Sequence, residues 1–126
     1  MTRILSPDDI IYSYTRQQAI EDGVLVDVST TAKEAGVRFP VALTRAVWSQ
    51  YAEVPEGGEC QDEAGRLWDI VSMFRYGAKN TDGDRFKFEL RVRNDNRRPK
   101  KVTLKAVCGP SDDAEPVITI MLLDED

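Results

Sequence analysis

The sequence contains no histidine and only two cysteines, Cys60 and Cys108. Histidine is the usual general base near neutral pH and the most common ligand for transition metals. Its absence excludes the Ser-His and Cys-His catalytic pairs and the histidine-based metal sites by which many active sites are recognised. The remaining carboxylates, arginines, lysines and hydroxyls fall into no specific catalytic spacing. We therefore expect no catalytic, cofactor-binding or metal-binding residue, and we favour a non-enzymatic protein over an enzyme.

Long hydrophobic runs are also missing. The longest apolar stretch, residues 117–123, is far shorter than the ~20 residues that a membrane-spanning helix needs. Residues 1–9 contain no apolar stretch of the kind found in a secretory signal. Two cysteines without an export signal indicate reduced thiols in a reducing compartment. The sequence therefore predicts a cytoplasmic protein with no membrane contact.

Length and composition are those of an ordinary globular domain. The chain has 126 residues, of which 41% are hydrophobic and 31% are charged. A domain of this size buries roughly two-thirds of its unfolded surface, so it needs no disulfide or metal for stability. We expect a single domain over residues 1–126.

Charge is distributed unevenly along the chain, whose formal net charge is −5. Residues 85–105 hold nine basic residues and two acidic ones. Residues 53–69 hold six acidic residues and one basic one, and six acids with no base follow Lys105. A protein that is acidic overall binds DNA poorly without sequence specificity, because its long-range field repels phosphate.

The first third of the chain predicts short elements. Alternation over residues 10–14 suggests a strand, and Thr15 with Gln18 has the spacing of a capping box that opens a helix. Gly23 suits the left-handed residue that ends this helix, and β-branched residues 24–28 predict a strand. A second capping-box spacing, Thr31 with Glu34, predicts one more helical turn ending at Gly36.

Two amphipathic helices are predicted next. Pro40 favours the first turn of a helix that carries Leu43, Val47, Trp48 and Tyr51 on one side. Apolar residues at positions 67, 70, 71, 74 and 78 have the spacing of a second helical stripe. Asp62 or Glu63 is expected near the positive N-terminal end of this second helix. The aromatic residues at helical spacing, Trp68 among them, are interpreted as core.

The last third predicts a three-stranded antiparallel meander. Apolar and polar residues alternate over residues 85–93 and again over residues 101–108, as in half-buried strands. Residues 117–123 are apolar except for Thr119, as in a central strand covered on both faces. The predicted fold class is therefore α+β: short N-terminal helices and strands, followed by two amphipathic helices packed on a mainly antiparallel sheet.

Four blocks of the sequence carry a family resemblance. They are IYSYTR (residues 11–16) leading into DGVLVDV (22–28), FPVALT (39–44), QDEAGRLWD (61–69) and AEPVITIML (114–122). Together they resemble a family of unknown function, made of small bacterial proteins encoded on plasmids, integrative elements and phages. The resemblance implies a mobile-element protein and brings no established activity or catalytic residue. Small proteins in that setting are often inhibitors of host defence systems or modulators of transfer.

The basic strand pair is the candidate partner-binding site. Alternation places Arg85, Lys87, Arg91 and Arg93 on one face, with Lys101 and Lys105 on the outward face of the next strand. Arg97 and Arg98 lie in the connecting turn. The candidate residues are Arg85, Lys87, Arg91, Arg93, Arg97, Arg98, Lys101 and Lys105. Such a patch suits an acidic protein surface or, less well, nucleic acid, and a merely solvated face that blocks sheet-to-sheet pairing is the simplest alternative.

Two further hypotheses compete with this one. Asp84 with Glu89 and Arg91 is loosely similar to the metal-binding carboxylates of restriction-like nucleases, although that pattern normally has lysine where Arg91 stands. Convergence of Asp84, Glu89 and Asp62 in a cleft would favour such an enzyme. The acidic stretches, alternatively, could imitate a phosphate backbone, and the terminal residues 124–126 are interpreted as a solubilising tail.

The favoured hypothesis is a mobile-element protein that acts by binding another protein. Its target is expected to be a host defence or nucleic-acid-processing complex with an acidic surface. The alternative is a carboxylate-dependent enzyme or a nucleic-acid-binding module that uses the basic strand pair.

Overall fold

A computed structural model describes residues 15–54, 62–81, 83–94, 98–111 and 115–125. In these ranges lie helices α1 (Arg16–Glu21), α2 (Ser29–Glu34), α3 (Arg45–Val47, continued as a π-helix over Trp48–Ala52) and α4 (Glu63–Ala78). The strands are β1 (Leu25–Asp27), β2 (Val41–Thr44), β3 (Arg85–Val92), β4 (Lys100–Pro110) and β5 (Pro116–Leu122). The predicted α+β class is confirmed. The strand predicted over residues 10–14 lies outside the described residues.

The five strands form one mostly antiparallel sheet in the order β1-β2-β5-β4-β3. Only β2 and β5 pair in parallel, with Val41 opposite Ile118 and Leu43 opposite Ile120. Strands β3, β4 and β5 are the predicted antiparallel meander. Strand β5 occupies the central position that its nearly continuous apolar sequence predicted, because a central strand needs apolar residues on both faces.

The local signals at α1 are confirmed. Thr15 and Gln18 form the predicted capping box, in which the Thr15 hydroxyl accepts a hydrogen bond from the Gln18 amide at 3.0 Å. Gly23 follows the helix with a φ of +78°, a conformation that glycine adopts without steric cost. The guanidinium of Arg16 donates to the Thr119 hydroxyl at 2.7 Å and to the Ile118 carbonyl at 2.8 Å. These bonds attach α1 to the central strand.

Two predicted helix starts are wrong. Helix α2 begins at Ser29 rather than at Thr31, and the Asp27 carboxylate accepts from the Ser29 amide at 3.0 Å. The residues after Pro40 form strand β2 instead of a first helical turn, and Leu43 is therefore a strand residue. Helix α3 begins only after Thr44, whose hydroxyl accepts from the Val47 amide at 3.3 Å. Pairing of β2 with β5 overrides the local preference of proline for a helix start.

The main hydrophobic core lies between helices α2–α4 and one face of the sheet, while α1 contacts the other face through Arg16 and Thr119. Helix α4 carries the predicted stripe, with Ile70 and Val71 fully buried, and Asp62 caps its first turn. The Phe74 ring stacks on Phe86 with centroids 5.6 Å apart and meets the Phe88 ring edge-on at 6.0 Å. Each fully buried large aliphatic or aromatic side chain contributes about 1.5–3 kcal/mol to folding relative to an exposed one. The opposite face of β3 and β4 carries mainly polar residues.

Candidate functional site

The predicted basic residues of β3 and β4 do share one face of the sheet. In the antiparallel register, Lys87 lies opposite Lys105 and Arg91 lies opposite Lys101. Residues two apart in a strand point to the same side. One surface therefore carries Arg85, Lys87, Arg91, Lys101 and Lys105, which we call the basic face. It is the reverse of the surface on which Phe86 and Phe88 meet α4.

Cross-strand pairing on the basic face opposes cation to cation twice. Like charges directly opposite one another destabilise an antiparallel pair, whereas opposite charges stabilise it. The carboxylate of Glu89 offsets one of the cations, because it lies 2.8 Å from the Lys101 ammonium. In the described part of the chain no ion pair is formed by Lys87 or Arg91, and both side chains are exposed. These two cations are the ones most available to a partner.

The remaining predicted site residues are Arg93, Arg97 and Arg98. Arg93 is half-buried just beyond the end of β3, and its main-chain carbonyl accepts a hydrogen bond from Arg66. Arg98 is exposed two residues before β4. Arg97 lies outside the described residues. The structure thus groups the strand cations on one face, and the grouping of the turn cations with them stays a prediction.

Glu125 has a structural role that its place in an acidic tail did not predict. Its carboxylate accepts from the Thr44 hydroxyl at 2.7 Å and from the Leu122 amide at 2.8 Å. Its main-chain carbonyl accepts from the Lys105 ammonium. The interpretation of residues 124–126 as a solubilising tail is therefore wrong for Glu125, which holds the end of β5 and orients one cation of the basic face.

A groove runs between α4 and β3, which is an outer strand of the sheet. Its volume is about 470 Å³. Helix α4 contributes Trp68, Asp69, Ser72 and Met73, and the strands contribute Glu89, Leu90, Arg91 and Lys101. We call it the edge groove. Its two lining cations, Arg91 and Lys101, belong to the basic face, so the two surfaces are continuous around the outer edge of β3.

Trp68 is the residue that sequence reasoning placed wrongly. Helical spacing predicted a core tryptophan, yet 43% of Trp68 is exposed, and Met73 on the same helix is 37% exposed. The stripe that α4 buries passes through Leu67, Ile70 and Phe74. Trp68 lies one position beyond Leu67, which turns it about 100° around the helix axis. If the 3.6-residue helical period is applied strictly to the buried stripe, it predicts that Trp68 is exposed.

Arg66 is a buried residue that the sequence analysis did not single out. Only 8% of it is exposed, and burial lowers the pKa of its guanidinium from the ordinary value. The guanidinium donates to the Arg93 carbonyl at 2.7 Å, to the Gln50 carbonyl at 3.5 Å and to the Asn94 side chain. Arg66 thereby joins α4 to the π-helix and to the end of β3. Its position four residues before Ile70 lies toward the buried side of the helix, and this spacing was the sequence feature that could have predicted its burial.

The carboxylates proposed for a nuclease-like site do not come together. Asp62 caps α4, Glu89 pairs with Lys101, and Asp84 lies 3.9 Å from Arg85 at an exposed position. Over the described ranges, no group of three or more Asp, Glu or Cys side chains has the geometry to hold a metal ion. Within the same ranges, no helix has the length and apolar character needed to cross a membrane.

Comparison with known proteins assigns the family. The profile described as "Family of unknown function (DUF6573)" matches residues 1–126. The chain belongs to this family. No curated protein and no solved structure matches it.

Proposed function

We propose that this protein is a non-enzymatic binding module that recognises an acidic protein through the basic face and the edge groove together. The observation that carries the proposal is that Arg91 and Lys101 belong to both surfaces, while exposed Trp68 forms the opposite wall of the groove. A partner with acidic side chains and one apolar side chain fits this combination.

Charge supports a protein partner over nucleic acid. The chain as a whole carries −5, so its long-range field disfavours a polyanion as long as DNA or RNA, whereas a local acidic patch interacts mainly with nearby cations. Binding of single-stranded nucleic acid also relies on exposed aromatic rings among the cations. The aromatic residues of β3, Phe86 and Phe88, face α4 instead.

Trp68 and Met73 supply the apolar part of the proposed surface. Tryptophan is enriched among the few residues that contribute most of the binding energy at interfaces. Methionine adapts its shape to different apolar partners. The cations at the rim of the groove would increase the rate of encounter and the selectivity, while the apolar wall would hold the bound partner.

The finer proposal concerns the biological setting. We infer a mobile-element protein that acts in the cytoplasm on a host defence or nucleic-acid-processing complex. Its support is the resemblance of the four sequence blocks.

The test is affinity capture with the full-length chain and two variants. Lys87→Glu with Arg91→Glu reverses two exposed cations of the basic face, and Trp68→Ala removes the apolar wall. Exposed substitutions usually change the free energy of unfolding by about 0.5 kcal/mol or less, so the charge-reversal variant is expected to remain folded. We expect both variants to lose at least tenfold in the amount of partner captured from a nuclease-treated host lysate.

A matched control distinguishes an effect of the proposed surface on capture from an effect of net charge. Lys33→Glu with Arg45→Glu changes the net charge equally, at exposed positions on α2 and α3 that lie outside the basic face and the edge groove. It should capture the partner as the wild type does. Equal losses in control and test variants, or capture abolished by nuclease treatment, would contradict an acidic protein partner on this surface.

A further inference from the structure

A second cavity lies at the other end of α4, on the helix side of the sheet and away from the basic face. Its volume is about 450 Å³, within the range of ~300–1,000 Å³ that is usual for ligand pockets. The floor is apolar and is formed by Phe74, Phe86, Ala106, Cys108 and Ile118. We call it the end cavity. Neither the basic face nor the proposed partner accounts for it.

Cations surround the mouth of the end cavity. Arg38 comes from the segment between α2 and β2, and Arg75 and Lys79 come from the last turn of α4 and its C-cap. All three side chains are exposed, and none forms an ion pair with another described residue. The carboxylate of Asp84 also lines the cavity, but it lies beside Arg85. Among the described residues that line the cavity, three cations therefore accompany one carboxylate.

Helix capping explains only part of this charge. Cations in the last turn of a helix stabilise its negative end, which accounts for Arg75 and Lys79. Arg38 belongs to another element and has no such role. The backbone also accommodates the Arg75 guanidinium: Gly36 has a φ of +95°, and a Cβ atom there would lie 2.9 Å from the Arg75 Nε. A glycine at this turn lets Arg75 lie across it, on the same rim as Arg38.

We propose that the end cavity binds a small amphipathic anion. Its apolar body would occupy the floor between Phe86 and Ile118, and a single carboxylate or phosphate group would lie among Arg38, Arg75 and Lys79. The planar fork of an arginine guanidinium matches either group with two parallel hydrogen bonds. A neutral or cationic molecule of the same shape would leave the like charges at the mouth unopposed.

Cys108 supplies a reporter inside the cavity. It is a half-buried thiol on β4 that lines the floor. In a Cys60→Ser background, Cys108 is the only cysteine that a maleimide reagent can modify. A ligand that fills the floor should shield it, so the modification rate measures occupancy independently of the basic face and its partner.

The experiment uses decanoate below its micelle concentration, with decyltrimethylammonium as the matched ligand of opposite charge. We expect decanoate to slow modification of Cys108 at least tenfold at saturation, and we expect little effect of the cation. Arg38→Gln and Lys79→Gln should each weaken decanoate binding several-fold, while Arg45→Gln, an exposed arginine outside the cavity, should not. Decyl phosphate in a parallel series identifies the preferred headgroup.

Calorimetric titration with decanoate gives a second readout that does not depend on thiol reactivity. Equal protection by the anionic and cationic ligands would overturn the proposal, because it would show apolar binding without recognition of charge. Unchanged affinity in Arg38→Gln and Lys79→Gln would overturn it as well. So would the absence of both protection and measurable heat of binding in the folded wild-type chain.

Discussion

Arg66→Ala is expected to lower the free energy of unfolding by about 2–4 kcal/mol. The guanidinium bonds two main-chain carbonyls and the Asn94 side chain from a position that is only 8% exposed. A hydrogen bond to a charged group contributes about 1.5–3 kcal/mol to stability, and the contributions of several such bonds do not simply add. Acceptors that are left unpaired in a buried site add a desolvation cost. Urea denaturation followed by circular dichroism measures the change.

Two further substitutions distinguish the bonds of Arg66 from its volume. Arg66→Met keeps much of the side-chain volume and removes all the donors, so it should recover less than half of the loss. Arg66→Lys keeps the charge without the planar fork, so its stability should lie between that of the wild type and that of Arg66→Met. If the free energy of unfolding of Arg66→Ala lies within about 0.5 kcal/mol of the wild-type value, the three contacts make no net contribution to stability.

Phe88→Ala is expected to cost about 3–5 kcal/mol of stability, the usual effect of removing a buried aromatic ring and leaving a cavity. Phe88 is 5% exposed, and its ring lies 6.0 Å from that of Phe74 and 6.2 Å from that of Phe86. The measurement is the midpoint of thermal or urea unfolding.

Lys87→Ala is the control for Phe88→Ala, because the two residues are neighbours on one strand that point to opposite faces. Lys87 is exposed, so its removal should change stability by about 0.5 kcal/mol or less. Similar losses from both substitutions would contradict the assignment of the two faces of β3.

The antiparallel meander was predictable because its signals are local. Strict alternation of apolar and charged residues over β3 fixes which face meets α4, and short connections bring β4 and β5 alongside. The apolar sequence of β5 predicted its central position for the same reason, since the polarity of each residue indicates whether its face of the sheet is covered. The grouping of the strand cations on one surface followed directly from this alternation.

Strand β2 was not predictable in this way. Four residues after a proline are too few to display a period of two, and Leu43 with Val47 happens to match a helical spacing. The deciding interaction is the pairing of Val41 and Leu43 with Ile118 and Ile120, more than seventy residues later in the chain. Nothing within the segment itself encodes that distant partner, so local propensity gave the wrong element.

The residues of α4 show a second limit of prediction from sequence. Arg66 lies on the buried side of the helix and Trp68 on the exposed side, the reverse of what residue type suggests. Arginine can be buried there because the π-helix and the residue after β3 each present a carbonyl acceptor to it. Those acceptors belong to other elements, so only the assembled fold identifies the buried arginine. The end cavity likewise combines residues from six separate elements and segments.

The central claim is that the basic face and the edge groove form one surface for an acidic protein partner. Its most direct test is the association rate of the captured partner, measured over a range of salt concentrations. For the wild type we expect a rate that falls steeply with salt. For Lys87→Glu with Arg91→Glu we expect a slower rate at low salt and a shallower dependence, while Lys33→Glu with Arg45→Glu should follow the wild type. A folded Lys87→Glu/Arg91→Glu protein that keeps the wild-type rate and salt dependence would contradict the claim.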